Sequence, residues 1–297
     1  MKKYLVILLL FCISTVKSQE FEVSYPKKID SLLSIGFYDE AIDFLRDSIS
    51  ALDRKNKLDS LEFELARLYA INYDLDSSFF YLEKSIRVHK NLDVIENQDF
   101  VALLYDEERW YTFVDDVFDL QKITFKSKKH RTYTKLLSKM LIEDQAFFPI
   151  HSDVVKKLNL DRNIVRLAKH VYSDLISKRH EEDMSKIIKA IGLPQNKDFP
   201  IDVELISFLI IQHGSQKFME QSYPMIKKAY KKGKFDKVLY AFVTDRMRLW
   251  KGECQLYGTQ YKRLKSGENV MWNVCDKEKL NERRQSVGLS EVEQTRH

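Results

Sequence analysis

The densest group of residues able to do chemistry lies near the C-terminus, in DRMRLWKGECQLYGTQY (245–261). It places a carboxylate, Asp245, beside a guanidinium, Arg246, and follows them with Gln255, Tyr257, Thr259 and Gln260 around Gly258. A guanidinium offers a planar fork that suits a carboxylate or a phosphate. Glycine permits backbone that a Cβ resists and lets a neighbouring group approach closely. Upstream, His213 ends an apolar run directly before Gly214, and an imidazole can move a proton near neutral pH. Asp144, Gln145, Arg283 and Arg284 complete the candidates.

In an enzyme, His213 is the general acid/base, Asp144 or Asp245 orients it, and Arg246 with Gln260 stabilises developing negative charge. Each residue also has a plainer role. His213 can bond the terminal carbonyls of its own helix. Adjacent helical residues point about 100° apart, so Asp245 and Arg246 must each find another partner if buried. The loop amides can tie down irregular backbone. HExxH, CxxC, GxSxG, a His-rich cluster and a glycine-rich phosphate loop are all absent from the sequence. A zinc or nucleophilic-serine mechanism of the familiar kinds is therefore not expected, and no metal or cofactor is implied.

Cys254 and Cys275 flank the hairpin-like stretch containing KSGEN. A tight turn centred on Ser266-Gly267 pairs Cys254 with a residue near 279, whereas a longer loop restores a Cys254–Cys275 register. A disulfide and two free thiols both stay open on sequence alone.

The elements that position these residues read as helices. HRTYTKLLSKMLIEDQAFF (130–148) ends at Pro149, and residues 163–194 end at Gly192 and Pro194. VELISFLIIQHG (203–214) is apolar nearly all round, which marks a buried helix. Residues 219–233 and 234–252 each stop at a glycine, and 276–288 forms a last helix with Asp276 as N-cap and Gly288 beyond its end.

The first half carries an internal repeat. GFYDEAIDFLRDSI (36–49) aligns with YDLDSSFFYLEKSI (73–86), matching Ala41 with Ser78, Leu45 with Leu82, Ser48 with Ser85 and Ile49 with Ile86. Small residues at this spacing let paired helices approach, as in tetratricopeptide-type hairpins. Residues 93–117 resemble the tail that follows such repeats, with Phe100, Trp110 and Phe113 as anchors. The concave surface of such a repeat offers a place for a protein or peptide partner.

The N-terminus reads as a signal peptide over residues 1–18, with two lysines, the apolar run Tyr4 to Ile13, and Val16 and Ser18 before a cut at Gln19. Export to the periplasm or beyond the cell is expected. Its removal takes away three lysines and lowers the net charge from +5 to +2. That balance excludes a nucleic-acid partner, and KSKKHR (126–131) reads as a solvated linker or helix end. No other segment is apolar enough to span a membrane. The expected organisation is a repeat region at 19–120, a linker at 121–136 and a helical domain at 137–297. The fold class is mainly α, with a small β-hairpin near the C-terminus.

EDQ (143–145), IIKAIGLP (187–194), IIQHG (210–214), the run 241–261 and NERRQSVGL (281–289) occur in this order. Together they resemble the bacterial domain-of-unknown-function family 6624 over roughly residues 137–297. The resemblance implies a shared helical domain with a recurrent polar cluster: a DQ pair, a QHAD-like helix end, a DR helix, a YGTQ turn and a final RR helix. Gly214-Ser215 stands where the family has Ala-Asp, which removes a carboxylate near His213, and Leu193 replaces a common tryptophan. No activity comes with the resemblance. Three roles stay open: binding of a polar or anionic small ligand, catalysis through His213, and a purely architectural cluster.

Overall fold

The computed structural model describes residues 28–29, 31–33, 37–51, 58–87, 92–146, 162–264 and 266–292. The leader read over 1–18 lies outside them. Apolar residues at i and i+4 force the first helices to pair. In α1 (Tyr38–Ala51), Ala41, Ile42 and Leu45 are buried against Leu65 and Leu68 of α2 (Leu58–Ile71). In α3 (Leu75–Ser85), Ser78 is fully buried and its hydroxyl donates to the Ala66 carbonyl at 2.8 Å. That bond accounts for the small residue at this place in the repeat, because a larger side chain would hold the two backbones apart. Leu45 with Leu82, and Ser48 with Ser85, are buried at matching positions, so the offset of the sequence repeat is an offset of packing.

Two 3₁₀ segments, Leu92–Ile95 and Gln98–Tyr105, lead into α4 (Glu107–Leu120). Phe100, Trp110 and Phe113 are buried there and seal the hairpin. The stretch expected as a linker over 121–136 shortens to 121–127, because α5 begins at Lys128 and runs to Gln145. His130, Thr134, Leu137, Ser138 and Leu141 give it a buried face at helical spacing. Lys128 and Lys129 are exposed at its start, as a solvated helix end would have them, while two later basic residues are bound. Arg131 reaches Asp115 and Asp119 of α4, each at 2.8 Å, and Lys135 reaches Asp115 at 2.6 Å.

The longer C-terminal part is built from α6 (Arg162–Ile191), α7 (Val203–His213), α8 (Gln216–Lys231) and α9 (Lys237–Trp250). Helix α8 starts three residues earlier than its apolar pattern suggests, since Ser215 caps it by accepting from the Phe218 amide at 3.2 Å. One hydrophobic cluster runs from Ala66 to Met247 and includes residues of α2 to α9, Met184 and Ile187 of α6 among them. The two halves therefore share a core. Glu96 lies between them, and burial, then Asp93 and Asp202, push its carboxyl up to about 7.

Strands β1 (Tyr261–Arg263) and β2 (Asn269–Met271) form an antiparallel pair with Tyr261 opposite Met271. A 3₁₀ turn, Lys277–Lys279, precedes α10 (Leu280–Ser286). The expected Asp276 cap is absent: Asp276 takes φ +42° and its side chain makes no capping bond. Its carbonyl instead receives Arg283 Nη2 at 2.9 Å. Among the described residues no helix is long and apolar enough to cross a membrane.

Candidate functional site

The polar residues of 245–261 divide into two groups with different work. Asp245 is fully buried on α9. Its Oδ1 accepts from the amides of Leu256 at 2.7 Å and Tyr257 at 3.1 Å. Its Oδ2 accepts from the amides of Tyr257 at 3.1 Å and Thr259 at 3.0 Å, and from the Thr259 hydroxyl at 3.0 Å. The loop has no ladder of its own for these amides, so one carboxylate satisfies them. Gly258 lets the loop close around it. Its φ is +62°, and a Cβ there would stand 2.8 Å from Met271 Sδ.

Gln255, also fully buried, repairs the strand edge that this excursion breaks. Its Oε1 accepts from the Gln260 amide at 2.9 Å, while Nε2 donates to the carbonyls of Gln260 at 3.1 Å and Trp272 at 2.8 Å. A side-chain amide thus stands in for a missing peptide unit. From the other side, Arg284 Nη1 donates to the carbonyls of Tyr257 at 2.7 Å and Gly258 at 3.1 Å. Arg283 Nε donates to the Leu256 carbonyl at 2.7 Å. Burial lowers the pKa of Arg284, with Tyr261 and Asp245 pulling it back. Burial also pushes the Tyr257 phenol up to about 12.

Cys254 and Cys275 are joined by a disulfide with Cα atoms 5.1 Å apart. The hairpin that separates them is as tight as the sequence suggests, and a longer loop is not what aligns them. Residues 256–260 leave the strand to wrap Asp245, which lets Gln255 pair in parallel with Val274.

The second group lines a cavity of about 330 Å³ between α5, α6, α7 and α9. His213 Nδ1 lies 2.8 Å from Asp144 Oδ1 and 3.1 Å from Oδ2. A carboxylate only accepts, so Nδ1 carries the proton in this contact. Gln145 Nε2 donates to Asp144 at 2.7 Å and steadies it. The expectation that Asp144 or Asp245 orients His213 resolves to Asp144, since Asp245 is consumed by the loop.

Arg246, one residue after Asp245, turns into the cavity. Its Nε donates to Gln260 Oε1 at 3.1 Å, and no carboxylate among the described residues pairs with it. Burial alone lowers its pKa. Gln212, beside His213, also lines the cavity, and its Oε1 is buried with no hydrogen-bond partner among the described residues. Gln212 falls in the QHAD-like helix end but was not among the site candidates, because nothing in the sequence shows that its side chain reaches the lining. Nor were Tyr172, Ser173 and Ser177 of α6, or Trp250, which stands one turn beyond Arg246 on the same face of α9.

Ser215, where the resemblance expects Asp, is itself bonded by a carboxylate from another helix. Glu181 of α6 accepts from the Ser215 hydroxyl at 3.0 Å and from the Ser215 amide. Beside Asp144, Glu143 accepts from His180 at 2.9 Å and Arg179 at 2.7 Å. A larger hollow of about 520 Å³ near Asp202, Glu204 and Asp236 is less suited to a ligand. Its carboxylates already bind the amides of Leu205, Asn196 and Val238. No group of residues able to hold a metal ion occurs among the described residues.

A family model described as "Family of unknown function (DUF6624)" matches residues 202–296. The matched stretch holds His213, the Asp245 cage, Arg246 and the RR helix, but begins after Asp144. No curated protein and no solved structure matches the chain.

Proposed function

We propose that this is an exported binding protein whose C-terminal domain holds a small anionic ligand in the cavity between Asp144, His213 and Arg246. One observation carries the reading: Arg246 is a half-buried guanidinium whose single partner among the described residues is the neutral Gln260. A cation withdrawn from water without a counter-charge is costly, and a ligand anion would supply that charge. The residues of the Asp245 cage have the different role of building the wall that carries Gln260. Export is supported by the leader-like sequence at 1–18, and the Cys254–Cys275 bond suits an oxidising compartment.

A titration of the purified protein with acetate, succinate and inorganic phosphate tests this. At least one anion binds, and Arg246→Gln abolishes its heat while the protein stays folded. Equal binding by wild type and Arg246→Gln would sink the proposal.

The contact between His213 and Asp144 favours a second reading, in which the same pocket does acid–base chemistry. A carboxylate on Nδ1 fixes the orientation of the ring. His213→Ala separates the two readings. A folded variant that binds the anion normally but cannot convert it supports catalysis.

A further inference from the structure

We infer that Cys254 is a site of reversible thiolation. A small external thiol opens the Cys254–Cys275 disulfide by attacking Cys254, and Cys275 leaves as the thiolate. The two sulfurs differ in their surroundings, and Arg248 of α9 makes the difference. Its Nε donates to the Cys254 carbonyl at 2.7 Å, its Nη1 pairs with Glu253 at 2.9 Å, and its Nη2 lies 3.5 Å from Cys275 Sγ. The first two contacts do not depend on the disulfide, so they hold the guanidinium against Cys275 as the bond opens. Arg283 Nη2 adds a second cation by donating to the Cys275 carbonyl. No hydrogen bond to Cys254 Sγ occurs among the described residues.

Two groups act against this asymmetry. The Cys254 carbonyl oxygen lies 3.1 Å from Cys275 Sγ, but it bears a partial charge and is itself bonded to Arg248. Glu253 shares the guanidinium, but its side chain is 45% exposed and water screens it. A full positive charge beside Cys275 Sγ outweighs both.

In the exchange a thiolate RS⁻ attacks Cys254 Sγ, a bond forms between those two sulfurs, and the electron pair of the old S–S bond goes to Cys275. A thiolate stabilised by a neighbouring cation is the better leaving group. Reattack by Cys275 on Cys254 expels RS⁻ and restores the disulfide, so the modification reverses without any other oxidant. Both cysteines are half-buried, and Lys251, Gly252 and Glu253, which lead into Cys254, are exposed. A small thiol therefore reaches the bond in the folded protein. Thiolation releases one end of the loop around Asp245, since Gln255, next to Cys254, pairs with Val274, next to Cys275.

The test treats the folded protein with 2-mercaptoethanol, quenches early with iodoacetamide and locates both adducts by peptide mass spectrometry. The mercaptoethanol sits on Cys254 and the alkyl group on Cys275, by roughly five-fold or more over the reverse. Arg248→Gln slows the opening and brings the two products towards parity, and Arg248→Lys restores part of the preference. If Arg248→Gln does not fold, Cys254→Ser and Cys275→Ser decide. The thiol left in Cys254→Ser is then alkylated at pH 7 roughly five-fold faster than the thiol left in Cys275→Ser. Adducts divided equally, or found mainly on Cys275, overturn the inference, as does an undiminished preference in Arg248→Gln. Opening no faster than global unfolding, followed by fluorescence in urea, overturns it too, because the bond would then be closed to thiols in the native state.

Discussion

Gln260 Oε1 accepts a hydrogen bond from Arg246 Nε at 3.1 Å, and through it the caged loop touches the cavity. The backbone of Gln260 is held on both its amide and its carbonyl by Gln255. Its side chain is thus a fixed post against which the guanidinium rests, leaving the terminal nitrogens of Arg246 to meet a ligand. Gln260→Ala should weaken anion binding by roughly three- to ten-fold, since it loosens a charged donor without removing it. Titration of the variant with whichever anion wild type binds checks this. Unchanged affinity would mean that the loop and the cavity are independent.

Asp245→Asn should destabilise the fold by about 3 kcal/mol. The replacement turns one acceptor oxygen into an NH₂ group aimed at amides that also donate. Urea denaturation measures the loss. A change below about 0.5 kcal/mol, the ordinary range for surface substitutions, would show that the cage is dispensable.

Gly258→Ala carries two separable costs. The left-handed backbone at φ +62° accounts for about 1 kcal/mol, and the overlap with Met271 Sδ adds about 1–3 kcal/mol. In a double-mutant cycle, Met271→Ala should recover the second part and leave the first. Strict additivity would place the whole cost in the backbone.

Glu96 sets a pH dependence. Its folded-state pKa is raised from 4.5 to about 7. The native protein therefore keeps a proton that the unfolded chain gives up between those values, and stability falls as pH rises through the window. Below about pH 4.5 both states hold the proton and the penalty vanishes. Glu96→Gln should raise stability at pH 8 by about 1–2 kcal/mol, allowing for partial solvent screening at this half-open position. It should change little at pH 4.5. Thermal melts at the two pH values decide, and equal gains at both would remove the carboxyl as their cause.

Reduction of Cys254–Cys275, which lie 21 residues apart, should cost about 3 kcal/mol. Melting with and without reductant measures it, and the Cys254→Ser/Cys275→Ser double variant should match the reduced protein. A reduced protein as stable as the oxidised one would contradict this.

Much of the helical frame was legible because apolar spacing and glycine stops depend on local chain geometry. The repeat was legible for the same reason, since Ala41 and Ser78 announce close approach by size alone. The linker was drawn as far as 136 although a helical pattern already began at 130, because Arg131 and Lys135 reveal nothing in sequence of Asp115 and Asp119, the partners that hold them to α4. The polar cluster could be gathered from sequence but not divided. Asp245 and Arg246 look alike as adjacent charges, and only packing assigns one to the loop and the other to the cavity.

The disulfide also bears on how the chain reaches its native state. Continuing the register of Tyr261 with Met271 back along the hairpin would set Cys254 opposite Glu278, three places beyond Cys275. Three residues of strand span about 10 Å, too far for sulfur to bridge. A chain that zips its hairpin without first wrapping Asp245 therefore holds its thiols apart. Oxidation then acts as an inspection of the loop, sealing molecules that have closed it and leaving misregistered ones reduced.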